Sequence, residues 1–267
     1  MQKYMTSIFA WYGYRELTPA KSFRLIKQAG FDSVLLWWSD EFDPKYRLQP
    51  ELARQAGLQV ENIHVPDEDA NHLWEDTPKG QHVFEDHLRC LDDCAQFGIP
   101  TMVMHAFCGE PPPLSEIGIR RFARLVEHTE ALGVNIAVEY MRRGSQMEQV
   151  AFLLEHFDSS RFGLCFDSGH DHARKSRTPE TKIDMLDRFG HRLKALHLHD
   201  NDGTAVPSCL PFDGTIDWPA QMRKVAAMGY TGPTTLEVLN TGYESLPPEE
   251  FLALAQECAK RLEQLRI

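Results

Sequence analysis

Ionisable residues end short apolar runs at several places along the chain, where a buried strand would be expected to stay apolar. Val134-Asn135-Ile136-Ala137-Val138-Glu139 and Leu164-Cys165-Phe166-Asp167 each end on a carboxylate, and Thr234-Thr235-Leu236-Glu237-Val238 carries another. Pro100-Thr101-Met102-Val103-Met104-His105 and Val60-Glu61-Asn62-Ile63-His64 end on histidine, and Leu196-His197-Leu198-His199 carries two. Alternation along a strand sets Val134, Ile136 and Val138 against Asn135, Ala137 and Glu139. The same parity opposes Met102 and Met104 to His105, Leu164 and Phe166 to Asp167, the leucines to His197 and His199, and Leu236 to Glu237, while Asn62 shares the face of His64. His170 and Asp200 follow just beyond their strands. Taken singly, a strand-end histidine reads as a satisfied core residue, and a strand-end acid as a cap for the next helix. Taken together, three carboxylates in one low-dielectric interior would repel strongly, and a divalent cation relieves that repulsion. Carboxylate oxygen with imidazole nitrogen, and no thiolate, favours Mn²⁺, Mg²⁺, Co²⁺ or a catalytic Zn²⁺ over a structural zinc site.

The elements that would position these residues repeat along the chain. A helical pattern, a glycine and then an apolar run recur at Gly30, Gly57, Gly98, Gly133, Gly163, Gly190 and Gly229. Glycine after the last periodic residue supplies the left-handed backbone of a helix C-terminus. Helical spacing is read over Pro19–Gln28, His82–Phe97, Ser115–Leu132, Gln146–His156, Pro179–Phe189, Trp218–Met228 and Pro248–Leu265, with a shorter, weaker helix between Asp43 and Gly57. Thr18-Pro19 and Thr178-Pro179 have the form of helix starts. With a leading strand near Tyr4–Ala10 the pattern makes eight strands alternating with helices, hence parallel pairing with right-handed crossovers. An α/β fold of one (β/α)₈ barrel domain over residues 1–267 is the expectation, with the apolar strand faces under the helices and the polar ends at the C-terminal mouth. An open doubly wound sheet fits less well, because no G-x-G-x-x-G follows the first strand.

Composition narrows the partners. The 267 residues carry 28 Lys+Arg against 39 Asp+Glu, a formal net charge of −11, which opposes long-range attraction to a nucleic-acid backbone. No run is long and apolar enough to span a membrane, and Met1–Trp11 lacks the apolar core of a signal peptide, so a cytoplasmic location is expected. Cys90, Cys94, Cys165, Cys209 and Cys258 are spaced like buried free thiols rather than a disulfide framework.

On these residues the chain resembles the xylose isomerase-like barrel superfamily, which includes sugar isomerases and epimerases, hydroxypyruvate isomerase, inosose and dehydroshikimate dehydratases, and endonuclease IV. Asp167-Ser168-Gly169-His170, His197-Leu198-His199-Asp200 and Gly214-Thr215-Ile216-Asp217-Trp218 carry the likeness most specifically. The resemblance implies one divalent metal held by Glu139, Asp167, His197 and Glu237, with His199 an alternative strand-seven ligand. It also implies a reaction: proton transfer by Glu139 and Glu237 next to a metal-chelated carbonyl, with His64, His105, His170 and His199 binding substrate. The substrate class is a sugar, sugar phosphate, related polyol or keto-acid, and relatives often form dimers or tetramers. Arg142-Arg143 is either a phosphate grip or a solvated loop pair.

A dehydratase of the inosose or dehydroshikimate type shares the same enolate chemistry and stays open, as does a non-catalytic sugar-binding barrel. Endonuclease IV shares the strand-end histidines and the D-x-x-H, but its third zinc needs a D-x-H where this chain has Val206-Pro207-Ser208-Cys209-Leu210-Pro211. An abasic duplex incubated with the protein and Zn²⁺ is therefore expected to stay intact on a denaturing gel. Efficient zinc-dependent nicking would overturn that expectation.

Overall fold

The computed structural model describes residues 4–41, 43–141, 144–177, 183–204 and 209–266, with backbone alone at 144 and 174–177. Its strands are β1 Thr6–Phe9, β2 Ser33–Trp37, β3 Gln59–His64, β4 Thr101–His105, β5 Asn135–Glu139, β6 Phe162–Asp167, β7 Leu193–His197 and β8 Thr234–Leu236. All the pairings between them are parallel, in the order β7-β6-β5-β4-β3-β2-β1-β8. A bridge from Leu198 to Leu236 brings the two ends together: Leu198 N donates to Thr235 O at 2.9 Å, and Glu237 N to Leu198 O at 3.2 Å. The expected (β/α)₈ barrel is the fold.

Helices α1 Pro19–Ala29, α2 Gln49–Gln55, α3 Pro78–Phe97, α4 Glu116–Leu132, α5 Gly144–His156, α6 Ser168–Arg177, α7 Met185–Phe189, α8 Trp218–Ala227 and α9 Pro248–Gln264 lie along the connections. Thr77 and Ser115 cap α3 and α4, each side chain accepting from the backbone N–H three residues on. Outward-facing strand residues such as Ile8, Val34, Ile136, Val138, Phe166 and Leu196 pack with Phe23, Leu91, Phe122 and Phe251 of the helices in one buried cluster. A separate cluster of small side chains, Val103, Ala137, Cys165 and Ala195, fills the barrel axis. Each precedes a polar strand end by two residues, so the small layer lies directly beneath His105, Glu139, Asp167 and His197.

Several elements differ from the sequence reading. Helix α3 begins at Pro78 rather than His82, and the weak helix before Gly57 resolves into a turn of 3₁₀ helix, Tyr46–Leu48, followed by α2. A helix not anticipated, α6, starts immediately after Asp167; of the expected Pro179–Phe189 helix residues 183–189 are described, and Met185–Phe189 of these are helical with Asp184 as the cap. Thr178-Pro179, Arg142-Arg143 and Val206–Ser208 lie outside the described residues. The glycine signal also splits in two. Gly30, Gly57, Gly98, Gly133 and Gly229 have positive φ, as a left-handed helix end requires. Gly163 and Gly190 do not: a Cβ on Gly163 would lie 2.1 Å from Arg192 O, and one on Gly190 would lie 2.4 Å from Met228 Cγ. There glycine permits close approach, which local sequence does not distinguish from a cap. The regular alternation of β3 is also broken. Its register against β2 shifts between Val34 and Leu35, and both Glu61 and Asn62 are buried.

The β7–α8 connection is organised by Asp200, which is fully buried. Its carboxylate accepts from Asn201 N at 2.9 Å, Phe212 N at 3.0 Å, Ile216 N at 3.1 Å and the Trp218 indole at 2.6 Å. A Cβ on Gly214 would come within 2.2 Å of the same carboxylate, and Asp217 caps α8 through Ala220 N. The Gly214–Trp218 motif is thus a wrapping for Asp200. Asp200→Ala strands these donors and is expected to destabilise the fold by roughly 3 kcal/mol. The check is urea unfolding, where the midpoint should fall at an unchanged slope.

Candidate functional site

Strand register assembles the polar residues at the C-terminal mouth. His105 pairs with Glu139, Asp167 with His197, and Trp37 with His64, so neighbouring strands end at the same level. Glu237 follows the last residue of β8 and is placed by its N–H bond to Leu198 O. His170 lies in the first turn of α6, where its backbone N–H donates to Asp167 Oδ1 at 2.6 Å.

Glu139 is the centre of the arrangement and is 1% exposed. One of its oxygens lies 2.8 Å from His197 Nδ1, 3.4 Å from His64 Nε2 and 3.8 Å from His105 Nε2; the other lies 3.1 Å from His170 Nδ1. His197 Nδ1 is also 3.4 Å from Glu237 Oε2, and His199 Nε2 is 3.1 Å from Asp167 Oδ1. These close approaches leave several atoms unpaired. Both ring nitrogens of His197, Nδ1 of His105, His170 and His199, and Oδ2 of Asp167 are buried without a hydrogen-bond partner. Donor atoms of Glu139, Asp167, His197 and Glu237 all lie within 4.8 Å of one another. Buried polar atoms are nearly always satisfied, so nitrogen and oxygen atoms gathered this closely without hydrogen bonds fit a shared cation. The donor chemistry fits too, being carboxylate and imidazole.

Within the polypeptide itself the imidazoles are the counter-charges. Burial alone would raise the Glu139 carboxyl, but His197, His105 and His170 hold it well below the usual carboxylate range. Burial opposes ionisation of Asp167 as well, and His170 and His199 more than offset it. Burial would lower His170, yet Asp167 and Glu139 push it up to about 9. His197 is raised against burial by Glu237 and Glu139, and His64 is raised against burial by Glu139, whereas burial keeps His105 low. Opposite shifts among touching groups are common where titratable side chains are gathered at a functional site.

All the expected residues, His64, His105, Glu139, Asp167, His170, His197, His199 and Glu237, come together here. Four further residues belong to the surroundings. The Trp37 ring stacks on His64 with centroids 5.0 Å apart, Cys165 Sγ lies 3.8 Å from Glu139 Oε2, and the Thr235 hydroxyl donates to Glu61. Burial raises both the Cys165 thiol and the Glu61 carboxyl, which favours their neutral forms. Strand parity puts Cys165 with Asp167, a signal already visible in the sequence; the β3 irregularity that turns Glu61 inward leaves no such mark. Asp200, by contrast, is a loop organiser outside the cluster.

Residues 23–262 match the family model described as the xylose isomerase-like TIM barrel, and the chain belongs to that family. An uncharacterised protein, y4fM of Sinorhizobium fredii, is 27% identical over 91% of this chain and 88% of its own length. The 3-dehydroshikimate dehydratase of Pseudomonas aeruginosa is 28% identical over 52% of this chain, which spans only 22% of that longer enzyme. Among solved structures, an IOLI protein with a binding zinc atom superimposes with a TM-score of 0.77 at 17% identity, covering 98% of this chain and 99% of that one. D-allulose 3-epimerase from Methylomonas sp. gives 0.72 at 14% identity, covering 98% and 99%. At such identities the structural likeness establishes the fold.

The local backbone around His199 allows a test. Gly169 lies in α6, where Gly→Ala normally stabilises by about 1 kcal/mol. A Cβ there would lie 1.9 Å from His199 Cε1, so Gly169→Ala is instead expected to destabilise by roughly 1–3 kcal/mol in urea unfolding. A gain in stability would show that the His199 ring is not held against this turn.

Proposed function

We propose that this protein is a divalent-metal-dependent isomerase or epimerase of a polyhydroxylated carbonyl compound, moving a proton at the carbon next to the carbonyl. The observation that carries the reading is the gathering of Glu139, Asp167, His197 and Glu237 donor atoms within 4.8 Å, with buried atoms that no hydrogen bond satisfies. In this reading those four residues hold the metal. His197 is preferred to His199 because its ring nitrogen faces both Glu139 and Glu237, while His199 faces Asp167. A divalent cation held there supplies Lewis acidity toward a carbonyl oxygen and stabilises the negative charge of an enediolate.

The remaining chemistry falls to the chain. Glu237 is 22% exposed and Glu139 1%, so the first is the carboxylate reached from the mouth and the second forms the floor. One removes the proton and the other returns it from the opposite side of the reacting carbon, giving an epimer, or the isomer if it is returned to the neighbouring carbon. His64 and His105, on one flank of Glu139, bind substrate hydroxyls, and Trp37 fixes the plane of the His64 ring. Residues 1–267 act as one catalytic barrel in this reading. The partial match to 3-dehydroshikimate dehydratase supports a second reading, in which the same proton abstraction is followed by loss of hydroxide from the adjacent carbon.

Turnover of ketoses, inososes and keto-acids in D₂O with Mn²⁺, Mg²⁺, Co²⁺ or Zn²⁺ is the test. Solvent deuterium is expected at the carbon next to the carbonyl of product or recovered substrate, read by NMR. A product lacking one water would select the dehydratase reading. Glu139→Gln and Glu237→Gln are each expected to lower kcat by about 100-fold or more. Full activity in both variants, or turnover without any label, would overturn the two-carboxylate mechanism.

A further inference from the structure

The N-terminal end of a (β/α)₈ barrel ordinarily serves stability. Here it opens into a cleft of about 640 Å³, within the size range of small-molecule sites. Glu61, Thr101, Asn135, Lys194 and Tyr230 are among the residues that line it. Thr101 and Asn135 precede Val103 and Ala137 by two residues on β4 and β5, so the small axial layer separates this cleft from the mouth.

Two irregularities of the sheet build the cleft. Val34 pairs with Val60 and Leu35 with Asn62, leaving Glu61 as the extra residue of β3. Leu164 pairs with Leu193 and Cys165 with Ala195, leaving Lys194 as the extra residue of β7. Bulges re-aim side chains, and both of these bring an ionisable one to the same cleft. Strands β3 and β7 stand four places apart in either direction around the closed barrel, so the two residues belong to opposite walls. A Cβ on Gly163 would lie 2.7 Å from Lys194 Cγ, so the glycine clears the path of the lysine stem.

The polar groups of the two walls are unmatched. Lys194 is half-buried and makes no ion pair among the described residues; burial lowers its ammonium, and Arg161 and Arg192 lower it further. Arg192 donates to the carbonyls of Leu154, Phe157, Ser159 and Phe162, and Arg161 to Asn135 Oδ1 at 3.3 Å, so neither brings a carboxylate to the lysine. Across the cleft, Glu61 is 7% exposed and accepts from the Thr235 hydroxyl, and burial favours its neutral form. Tyr230 is 8% exposed; its hydroxyl is buried without a hydrogen-bond partner, and burial together with Glu61 keeps the phenol protonated. An uncompensated cation thus lines one wall and neutral O–H groups the other, in a chain whose net charge is −11. A cation held among like charges is relieved by a bound anion, and an orphaned hydroxyl by a hydrogen-bonding ligand.

We propose that this N-terminal cleft binds a small oxyanion bearing hydroxyl groups, a phosphorylated or carboxylated polyol, with the anionic group at Lys194 and the hydroxyls at Glu61 and Tyr230. The site is separate from the mouth and does not depend on the metal-centre reading.

The experiment is calorimetric titration of the full chain with sorbitol 6-phosphate, gluconate and inorganic phosphate. Saturable binding of sorbitol 6-phosphate or gluconate is expected, and the tighter of the two identifies the anionic group. Affinity should fall about tenfold or more in Lys194→Met and about threefold or more in Tyr230→Phe, with circular dichroism as the check on folding. Glu237→Gln, altered at the mouth, should bind as the wild type does. Equal affinity in the wild type and both folded cleft variants would overturn the proposal, as would binding lost in Glu237→Gln but kept in Lys194→Met. Absence of saturable binding at millimolar concentration would overturn it too. Inorganic phosphate bound as tightly as sorbitol 6-phosphate would overturn the role given to Glu61 and Tyr230.

Discussion

The burial of Glu139 and Asp167 side by side at the mouth of the barrel is the constraint on which the rest of the site depends. Two carboxylates a few ångströms apart, shielded from water, repel by several kcal/mol at any effective dielectric suited to a protein interior. They persist because five imidazoles surround them, from His64, His105, His170, His197 and His199. That grouping costs desolvation and leaves unpaired atoms, which a fold built for stability alone would have replaced with apolar side chains. A bound cation would satisfy the same grouping, and the barrel supplies the rigid strand ends that keep the donors from relaxing apart.

Asp200 shows what a purely structural buried carboxylate looks like in the same protein. It accepts bonds from Asn201, Phe212, Ile216 and Trp218, and so its desolvation is offset within its own loop. Asp167, thirty-odd residues earlier in the chain, keeps one oxygen without any partner among the described residues. The two residues have the same side chain and nearly the same burial; only the surrounding donors differ. That difference in satisfaction, rather than burial, separates the carboxylate of the polar cluster from the one that shapes a loop.

Scaffold and site are also coupled through side-chain size. The small layer of Val103, Ala137, Cys165 and Ala195 leaves room for the strands to carry large polar groups one layer above. On the outside, Phe166 and Leu236 of the strands pack with Phe122 of α4 in one buried cluster, while the strand registers are set by the parallel pairings. Those registers set His105 opposite Glu139 and Asp167 opposite His197.

Much of this was legible in the chain itself. Alternation of apolar and polar residues carried the inward direction of His105, Glu139, Asp167 and Glu237, because strand parity is a local property of the backbone. The repeated helix, glycine and strand pattern carried the barrel for the same reason, since periodicity and caps are written in neighbouring residues. Local pattern could not tell the left-handed Gly133 from the close-approach Gly163, nor reveal the irregularity that buries Glu61, nor separate the structural Asp200 from the cluster. It left His197 and His199 as alternatives for one role, whereas the folded chain turns one toward Glu139 and the other toward Asp167. Sequence determined which residues point inward; tertiary structure decided which of them meet, because distances across a barrel are set by register and closure between strands far apart in the chain.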